Sequence, residues 1–207
     1  MRHEDLIPNE GWQLPDTQRI PSIADENAGV SKRILLWGIE RFGKLNAANL
    51  WMLMMHNMRL LRGMLFFASR LMPFGKLERR DTELAILRVA WLCRSRYEWG
   101  QHVDIGLRAG LTRDEIRRIP DGAGAAGWSE RQRLILKACD GMVHHHVVDE
   151  TTVSGLKEHY NHELMVELLM LIGWYQGLAG VLNTSGIRLD DSLEDVLSQV
   201  QDNAVSR

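Results

Sequence analysis

The sequence contains very little cysteine. Cys93 and Cys139 are the only two in 207 residues, and they lie far apart along the chain. There is therefore no C-x-x-C pair, no cysteine-based zinc motif and no framework of disulfide bonds. This excludes the small disulfide-stapled secreted domains, and we expect both thiols to be small buried residues of an apolar core.

Neither sign of charge is in excess. The chain has 25 Lys and Arg against 27 Asp and Glu, a formal net charge of -2, which gives no general electrostatic reason to bind nucleic acid or an anionic membrane. The N-terminal residues lack the continuous apolar stretch of a secretory signal, so we expect a cytoplasmic protein. The longest apolar stretch, residues 164–182, contains Glu167 and Gln176 and predicts a buried helix rather than a membrane span.

Beyond the first residues, the sequence contains little proline. It also rarely alternates apolar and polar residues in the way that is typical of strands. Three of the five prolines lie in the first 21 residues, and we interpret residues 1–30 as an irregular arm. Its Trp12 indicates packing against apolar surface of the same subunit or of a neighbour. From residue 31 onward the apolar spacing is helical and predicts an all-α fold. We divide it into a helical domain at 31–190 and a C-terminal tail at 191–207 with one short surface helix.

Cap and stop signals set the predicted helix boundaries. Boxes of the form Ser/Thr-x-x-Glu/Gln occur three times, beginning at Ser95, Thr112 and Ser129, and Asp149 and Asn161 are also good N-caps. Proline and glycine mark several ends. The resulting helices span about residues 31–43, 46–72 with a break near His56 and Asn57, 78–92, 95–109, 112–120, 129–146, 150–160 and 162–183.

Four polar residues could carry proton-transfer chemistry. If a helix begins at Ser95, then the side chains of Ser95, Glu98 and His102 share one face of that helix. Glu83 lies on the preceding helix and can approach them across the turn. A carboxyl group and an imidazole beside an apolar wall are what general acid-base catalysis needs. The same residues also fit a purely structural interpretation, in which Ser95 and Glu98 cap their helix and Glu98 and His102 form an exposed pair.

Two stretches resemble a known superfamily. The segments ELAILRVA (83–90), YEWGQH (97–102) and GLRAGL (106–111) resemble the signature region of the carboxymuconolactone decarboxylase and alkylhydroperoxidase D superfamily. The segment beginning HYNHELMVEL and ending at residue 187 resembles its C-terminal helix. The resemblance covers about residues 30–190. It implies a helical bundle of the alkylhydroperoxidase D-like type around an antiparallel helix hairpin, assembled as homo-oligomers, often trimers or hexamers.

The peroxidase branch of that superfamily uses a glutamate, a C-x-x-C pair and a histidine. This sequence matches the glutamate with Glu83 and the histidine with His102, but Ser95 and Glu98 occupy the two cysteine positions. Because neither a hydroxyl nor a carboxylate can be oxidised and reduced in a thiol cycle, thiol peroxidase activity is disfavoured. An alkylhydroperoxidase-like antioxidant is the least favoured alternative, and it would need Cys93 as a substitute thiol.

The decarboxylase branch lacks the cysteine pair and is the nearer relative, because it commonly shows Y-E-W-x-x-H. It implies a carboxy-lyase or related lyase or isomerase of aromatic compound catabolism, which acts without a cofactor on a small unsaturated lactone or oxidised carboxylic acid. We assign His102 as general acid/base, Glu98 as its orienting partner or a second proton carrier, and Glu83 as a buried relay. A non-catalytic oligomeric protein that binds small molecules is the alternative. The predicted substrate-binding residues are Ser95, Tyr97, Trp99, His56 and Arg96.

Other polar and apolar clusters support no further site. Residues 144–146 are three consecutive histidines, whose side chains point in different directions on a helix, so we interpret them as a helix C-terminus and predict no metal site and no cofactor. Six of the ten methionines lie between residues 52 and 72. They line either an adaptable pocket, with His56 as its polar contact, or ordinary core and subunit interface. Arg88 and Arg94 are candidate anchors for an anionic substrate, besides Arg96.

Overall fold

The structure, a computed structural model, describes residues 6–23 and 47–202. Every regular element in these ranges is a helix, which confirms the predicted all-α fold. The predicted helix at 31–43 lies outside the described residues. The elements are α1 (Ala48–Met54), a 3-10 turn (Met55–Asn57), α2 (Met58–Leu71), α3 (Arg79–Leu92), α4 (Arg96–Arg108), α5 (Arg113–Arg118), a second 3-10 segment (Ile119–Gly124), α6 (Glu130–His145), α7 (Glu150–Lys157), α8 (His162–Ser185) and α9 (Asp191–Asp202).

Helices α3 and α4 form the hairpin at the centre of the fold. Next to the turn, the backbone N–H of Ser95 donates to the carbonyl of Ala90 at 2.8 Å. Farther from the turn, a Cβ at Gly106 would lie 3.3 Å from Cδ1 of Leu87 and 3.7 Å from Cβ of Glu83. Because the pairs run in opposite order along the two helices, the hairpin is antiparallel. Glycine at 106 permits the close approach that brings α4 against Glu83.

The core is built around α3, which packs against α4, α6 and α8. Its residues 81–91 are all buried, as expected for a helix that is apolar nearly all round. Among the described residues, α8 is the one helix long and apolar enough to cross a membrane, which alone is weak evidence for a span. It packs on α3 and α6, and Glu167 accepts the backbone N–H groups of Lys76 and Leu77 at 2.8 and 3.0 Å. These contacts favour the predicted core helix.

Residues 6–23 of the predicted arm contain turns and bends and no helix or strand. They lie against the same subunit. The indole of Trp12 packs 5.6 Å from that of Trp91 and 6.1 Å from that of Trp99. The backbone N–H groups of Arg19 and Ile20 donate to the carbonyl of Ser185 at 2.7 and 3.1 Å. Of the two partners considered for the arm, this part of it uses its own chain.

Most predicted caps are present. Thr112 and Ser129 both form complete capping boxes, and Asp149 and Asn161 cap α7 and α8 through their side chains. The predicted break in the 46–72 stretch is also confirmed by the 3-10 turn, after which the side chain of Asn57 accepts the N–H of residue 60. The box predicted at Ser95 is wrong, because its side chain makes no capping hydrogen bond.

Two ends of the predicted helices also differ from the structure. The short helix after Thr112 ends at Arg118, just before the predicted stop at Pro120, but the chain does not become irregular there: a separate 3-10 segment follows, with Pro120 in its first turn. The C-terminal tail forms a helix of 12 residues, α9. It packs on α4 and buries Leu193, Leu197 and Val200, so it is a packed helix rather than a surface one.

Candidate active site

The α3–α4 hairpin joins Glu83 and His102. The Nδ1 atom of His102 lies 2.7 Å from Oε2 of Glu83, and the side chains are 7% and 0% exposed. A buried carboxylate that holds one imidazole nitrogen fixes the ring and its tautomer. Proton exchange with a substrate therefore falls to Nε2. The orienting contact considered for Glu98 belongs to Glu83, which leaves the second proton carrier as the predicted role of Glu98.

A third residue, Arg79, extends this pair. Its Nη2 atom lies 2.7 Å from Oε1 of Glu83, and its side chain is about one-third exposed. Arg79 and Glu83 are four positions apart on α3, so they share one face of the helix. Sequence reasoning missed Arg79, although this spacing was a signal that could have found it. The result is a continuous series of charged and polar groups from Arg79 through Glu83 to His102.

Glu98 and Ser95 lie at the N-terminus of α4, where both polar side chains are buried. Glu98 is 2% exposed and Ser95 is fully buried. Among the described residues, Glu98 and Ser95 have no side-chain hydrogen-bond partner other than each other. Burial raises the pKa of Glu98 well above its usual value, and the nearby Ser95 hydroxyl opposes that rise. Burial therefore favours the neutral acid form of this carboxyl over its carboxylate form.

Tyr175 on α8 connects the two groups of residues. Its ring makes an edge-on contact with the His102 imidazole, with 5.0 Å between centroids. Burial raises the pKa of the Tyr175 hydroxyl well above its ordinary value, and the charges of Glu83 and Glu98 add to the rise. Tyr175 is thus a neutral phenol close to both carboxyl groups. Tyr175 is not among the predicted site residues, because α8 shows no distinctive polar spacing around it.

Cys93, in the turn between α3 and α4, also lies near Glu98. Burial, with the charge of Glu98 as a second cause, raises the pKa of the Cys93 thiol to about 12. The thiol is therefore protonated at neutral pH and is a poor nucleophile. Cys139, the other cysteine, is buried as predicted, and its pKa is also raised by burial.

The predicted substrate-binding residues lie in several places. Ser95 is in the buried cluster beside Glu98. The Tyr97 hydroxyl donates to Asp190 at 2.8 Å, and Trp99 packs against the arm and Trp91. Both side chains thus have structural partners, and their contribution to substrate binding stays a prediction.

Two further predicted residues also have partners elsewhere. His56 is exposed, and its Nε2–H donates to the carbonyl of Pro21 at 2.8 Å. Arg96 makes two hydrogen bonds to Glu194 at 2.8 and 2.7 Å. The structure places neither of these contacts at the Glu83–His102 pair.

The other candidate cations are paired as well. Arg88 donates to Asp140 and to the carbonyls of Ile119 and Pro120. Arg94 pairs with Glu10 on the arm at 2.7 Å. Residues 144–146 are exposed at the end of α6. Among the described residues, no group of three or more His, Cys, Asp or Glu side chains is arranged to hold a metal ion.

Comparisons with known proteins agree with this architecture. Residues 58–140 match the model of the Carboxymuconolactone decarboxylase family, whereas no curated protein matches the sequence. Among solved structures, the chain is similar to an uncharacterised peroxidase-related protein with an alkylhydroperoxidase AhpD core from Ralstonia eutropha JMP134. The TM-score is 0.72 at 18% identity, covering 84% of this chain and 93% of that one.

The chain is also similar in fold to the debrominase Bmp8. A Cys-to-Ala variant of Bmp8 in complex with 2,3,4-tribromopyrrole gives a TM-score of 0.70 at 12% identity, covering 89% of this chain and 98% of that one. The apo form gives 0.72 at 12% identity, covering 90% and 100%. The family match contains all four polar residues of the α3–α4 site, and the fold is AhpD-like. The predicted resemblance to the carboxymuconolactone decarboxylase and alkylhydroperoxidase D-like superfamily is thus supported by the family match over residues 58–140 and by the shared helical fold.

Proposed function

We propose that the chain is a cofactor-independent enzyme that moves protons on a small oxidised carboxylic acid, with a carboxy-lyase reaction on an unsaturated lactone acid as the specific form. The observation that carries this proposal is the 2.7 Å contact between Glu83 and Nδ1 of His102 inside the α3–α4 hairpin. A buried carboxylate that orients an imidazole is the arrangement a general acid/base requires. The match to the family model supports the reaction class.

The reaction needs one positioned proton donor. When the bond between the substrate's carboxyl carbon and its ring carbon breaks, carbon dioxide leaves and the electron pair passes into the conjugated lactone carbonyl. The product at that stage is a dienolate. The imidazolium of His102 then delivers a proton from Nε2 to carbon, and water restores the proton to His102. Glu83 acts as a positioning residue, because it keeps the ring oriented and stabilises its charged form.

Glu98 and Arg79 both favour the binding of an anionic substrate, for different reasons. Burial favours the neutral form of Glu98, which does not repel an anionic substrate as an ionised carboxylate would. Arg79 is partly exposed next to Glu83, and its guanidinium can attract the carboxylate of an incoming substrate. One cation near Glu83 and one carboxyl group whose neutral form is favoured support the proposal of an acid-binding site near His102.

Thiol chemistry has less support. Two structural neighbours carry peroxidase-related and debrominase descriptions, but Cys93 is the only thiol near Glu98 among the described residues and is held protonated. Peroxide or halide chemistry through a thiolate would require the opposite shift in pKa.

The test is a screen of unsaturated lactone acids for carbon dioxide release, with deuterium incorporation from heavy water as the second readout. His102→Gln and Glu83→Gln should lower kcat by about 10²- to 10⁴-fold, the usual contribution of a positioned acid/base. Asp104→Asn is the matched control, because it changes a partly exposed carboxylate that pairs with Arg108 on the same helix. Turnover at the parent rate in both active-site variants would refute the acid/base role, and binding without turnover by the parent would favour the non-catalytic alternative.

A further inference from the structure

Two polar side chains at the start of α4 have the spacing of a helix cap but do not cap the helix. Ser95 occupies the N-cap position of α4 and Glu98 follows three residues later, yet no capping hydrogen bond forms. Both side chains are buried, and neither has a side-chain hydrogen-bond partner other than the other one among the described residues. An unsatisfied buried polar group costs about 1–3 kcal/mol, so two adjacent ones are a substantial loss of stability. Such a loss persists where the groups have a partner in the working state of the protein.

We propose that the Ser95 hydroxyl and the Glu98 carboxyl form a two-donor subsite for a substrate carbonyl oxygen that becomes negatively charged during the reaction. The inference rests on the proposed function and adds the site of the developing charge. Each group can supply one O–H donor, and the two side chains are neighbours on one face of α4. The helix has 13 residues, and its N-terminus adds a favourable dipole for an anion at this point.

The charge balance of the reaction suits this arrangement. As carbon dioxide departs, the electron pair of the broken bond moves through the conjugated system to the carbonyl oxygen, which becomes an enolate oxygen. Two O–H groups then stabilise that oxygen more strongly than the neutral carbonyl, and such differential stabilisation lowers the barrier. The pair of electrons returns to carbon when His102 protonates it. Neither Ser95 nor Glu98 changes its protonation state in the net reaction.

The position of Tyr175 supports the division of roles. Its ring contacts the His102 imidazole edge-on at 5.0 Å, and its hydroxyl is close enough to Glu98 and Glu83 for both charges to affect it. The proton donor and the proposed oxygen subsite therefore lie around one aromatic side chain. A flat conjugated substrate beside Tyr175 would present carbon to His102 and oxygen to Ser95 and Glu98.

This geometry narrows the substrate class. The reacting compound needs a carbonyl conjugated with the carbon that is protonated, as in an unsaturated lactone, ester or ketone. A carboxylic acid without such a carbonyl would leave Ser95 and Glu98 unpaired and should not react. The subsite would thus make the enzyme specific for conjugated carbonyl compounds.

Binding measurements test the subsite without turnover. The probe is 4-nitrophenol, whose ionised oxygen resembles an enolate, titrated into His102→Gln protein at a pH where the free phenol is mostly ionised. We expect it to bind at least about tenfold more tightly than 4-nitrotoluene, because hydrogen bonds to a charged oxygen are strong. Ser95→Ala and Glu98→Leu should each abolish most of that preference, whereas Glu98→Gln, which keeps an N–H donor, should retain part of it.

Infrared spectroscopy provides the second measurement. The difference spectrum between parent and Glu98→Gln at neutral pH should contain the carbonyl band of a protonated carboxylic acid. An ionised carboxylate band instead, or equal binding of 4-nitrophenol and 4-nitrotoluene, would overturn the subsite. If lactone acids are turned over equally by the parent and by Ser95→Ala and Glu98→Leu, the subsite is wrong and the proposed function stands. If the 4-nitrophenol preference depends on both residues but no conjugated acid reacts, the subsite stands and the proposed reaction is wrong.

Discussion

Helices α4 and α5 begin with the same kind of sequence but use it differently. At α5, the Thr112 hydroxyl accepts the N–H of Glu115 at 3.2 Å, and the Glu115 carboxylate accepts the N–H of Thr112 at 2.9 Å. At α4, Ser95 and Glu98 have the same spacing and make neither bond. The α5 box is a structural cap. In the α4 box, the polar side chains are buried in the protein and do not cap the helix.

The surroundings of the two helices account for the difference. Glu115 also accepts from Gln132 at 2.9 Å and pairs with Arg80, so its negative charge is shared among several donors. Glu98 has no cation beside it among the charges that set its pKa, and burial dominates. The same residue type is therefore an ionised cap in one place and a neutral acid in the other. Spacing predicts that a pair can interact, and the local dielectric decides whether it does.

The largest expected difference between the α4 and α5 boxes is the effect of their substitutions on kcat. Ser95→Ala and Glu98→Leu should each lower kcat on a conjugated lactone acid by about 10²- to 10³-fold, as does the loss of one donor to an oxyanion. Thr112→Ala should leave kcat unchanged, because the hydrogen bonds of Thr112 cap α5 and involve no residue of the proposed site. Steady-state kinetics of the three variants checks this, with circular dichroism to confirm that each is folded. Equal effects at both boxes would erase the functional distinction.

The pH dependence of stability should have opposite signs at the two glutamates. The raised pKa of Glu98 means that its favourable contribution is present below the ordinary glutamate pKa and is lost as pH rises toward the folded-state value. Glu98→Gln should therefore equal the parent in stability near pH 4 and exceed it by about 1–3 kcal/mol at pH 8. Urea unfolding at both pH values measures the difference. A variant that is less stable than the parent at pH 8 would contradict a neutral, unpartnered Glu98.

Glu115 provides the contrasting case. Burial alone would raise its pKa, but hydrogen bonds from Thr112, Gln132 and Arg80 outweigh burial and lower it. Its contribution is present above the ordinary glutamate pKa and is lost as pH falls through the folded-state value. Glu115→Gln should therefore cost less than about 1 kcal/mol at pH 7, since its cation partner is partly exposed. The loss should disappear in strong acid, and a loss that grows on acidification would have the wrong sign.

The hydroxyl groups give a smaller effect at neutral pH. Thr112→Ala should destabilise the protein by about 1 kcal/mol, the typical contribution of an N-cap side chain. Ser95→Ala should cause a smaller loss, because the Ser95 hydroxyl makes no capping hydrogen bond to α4. Chemical denaturation of the two variants under identical conditions provides the comparison. Similar destabilisation by both substitutions would show that Ser95 caps α4 after all.

The smallest expected effect is at Cys93. Cys93→Ser should leave turnover of lactone acids within about twofold of the parent, because the thiol is protonated at neutral pH. A peroxide-consumption assay with a dithiol reductant should show no activity that depends on this residue. Loss of lactone turnover, or peroxide consumption that requires Cys93, would move the chemistry from proton transfer to the thiol.

Much of the fold was predictable because its signals are local. The caps at Thr112, Ser129, Asp149 and Asn161 involve residues three positions apart, and the apolar period that defines α3 repeats every turn. The packing of α9 on α4 was not predictable, because an amphipathic tail can pack on its own domain or lie on the surface. The Arg79–Glu83 contact was within reach of the spacing rule, whereas the position of Tyr175 required knowledge of how α8 lies against the hairpin.

The sequence by itself determined the helical class, most helix ends, and the set Glu83, Ser95, Glu98 and His102, together with the absence of a cysteine pair where the peroxidases have one. Only the tertiary structure decided which carboxylate orients the imidazole. Glu83 and His102 are 19 positions apart and meet because the antiparallel hairpin closes tightly at Gly106. The structure also decided that Glu98 is buried with no cation among the causes of its pKa shift, which raises its pKa. Burial is a property of everything packed around a side chain, and no local spacing specifies it.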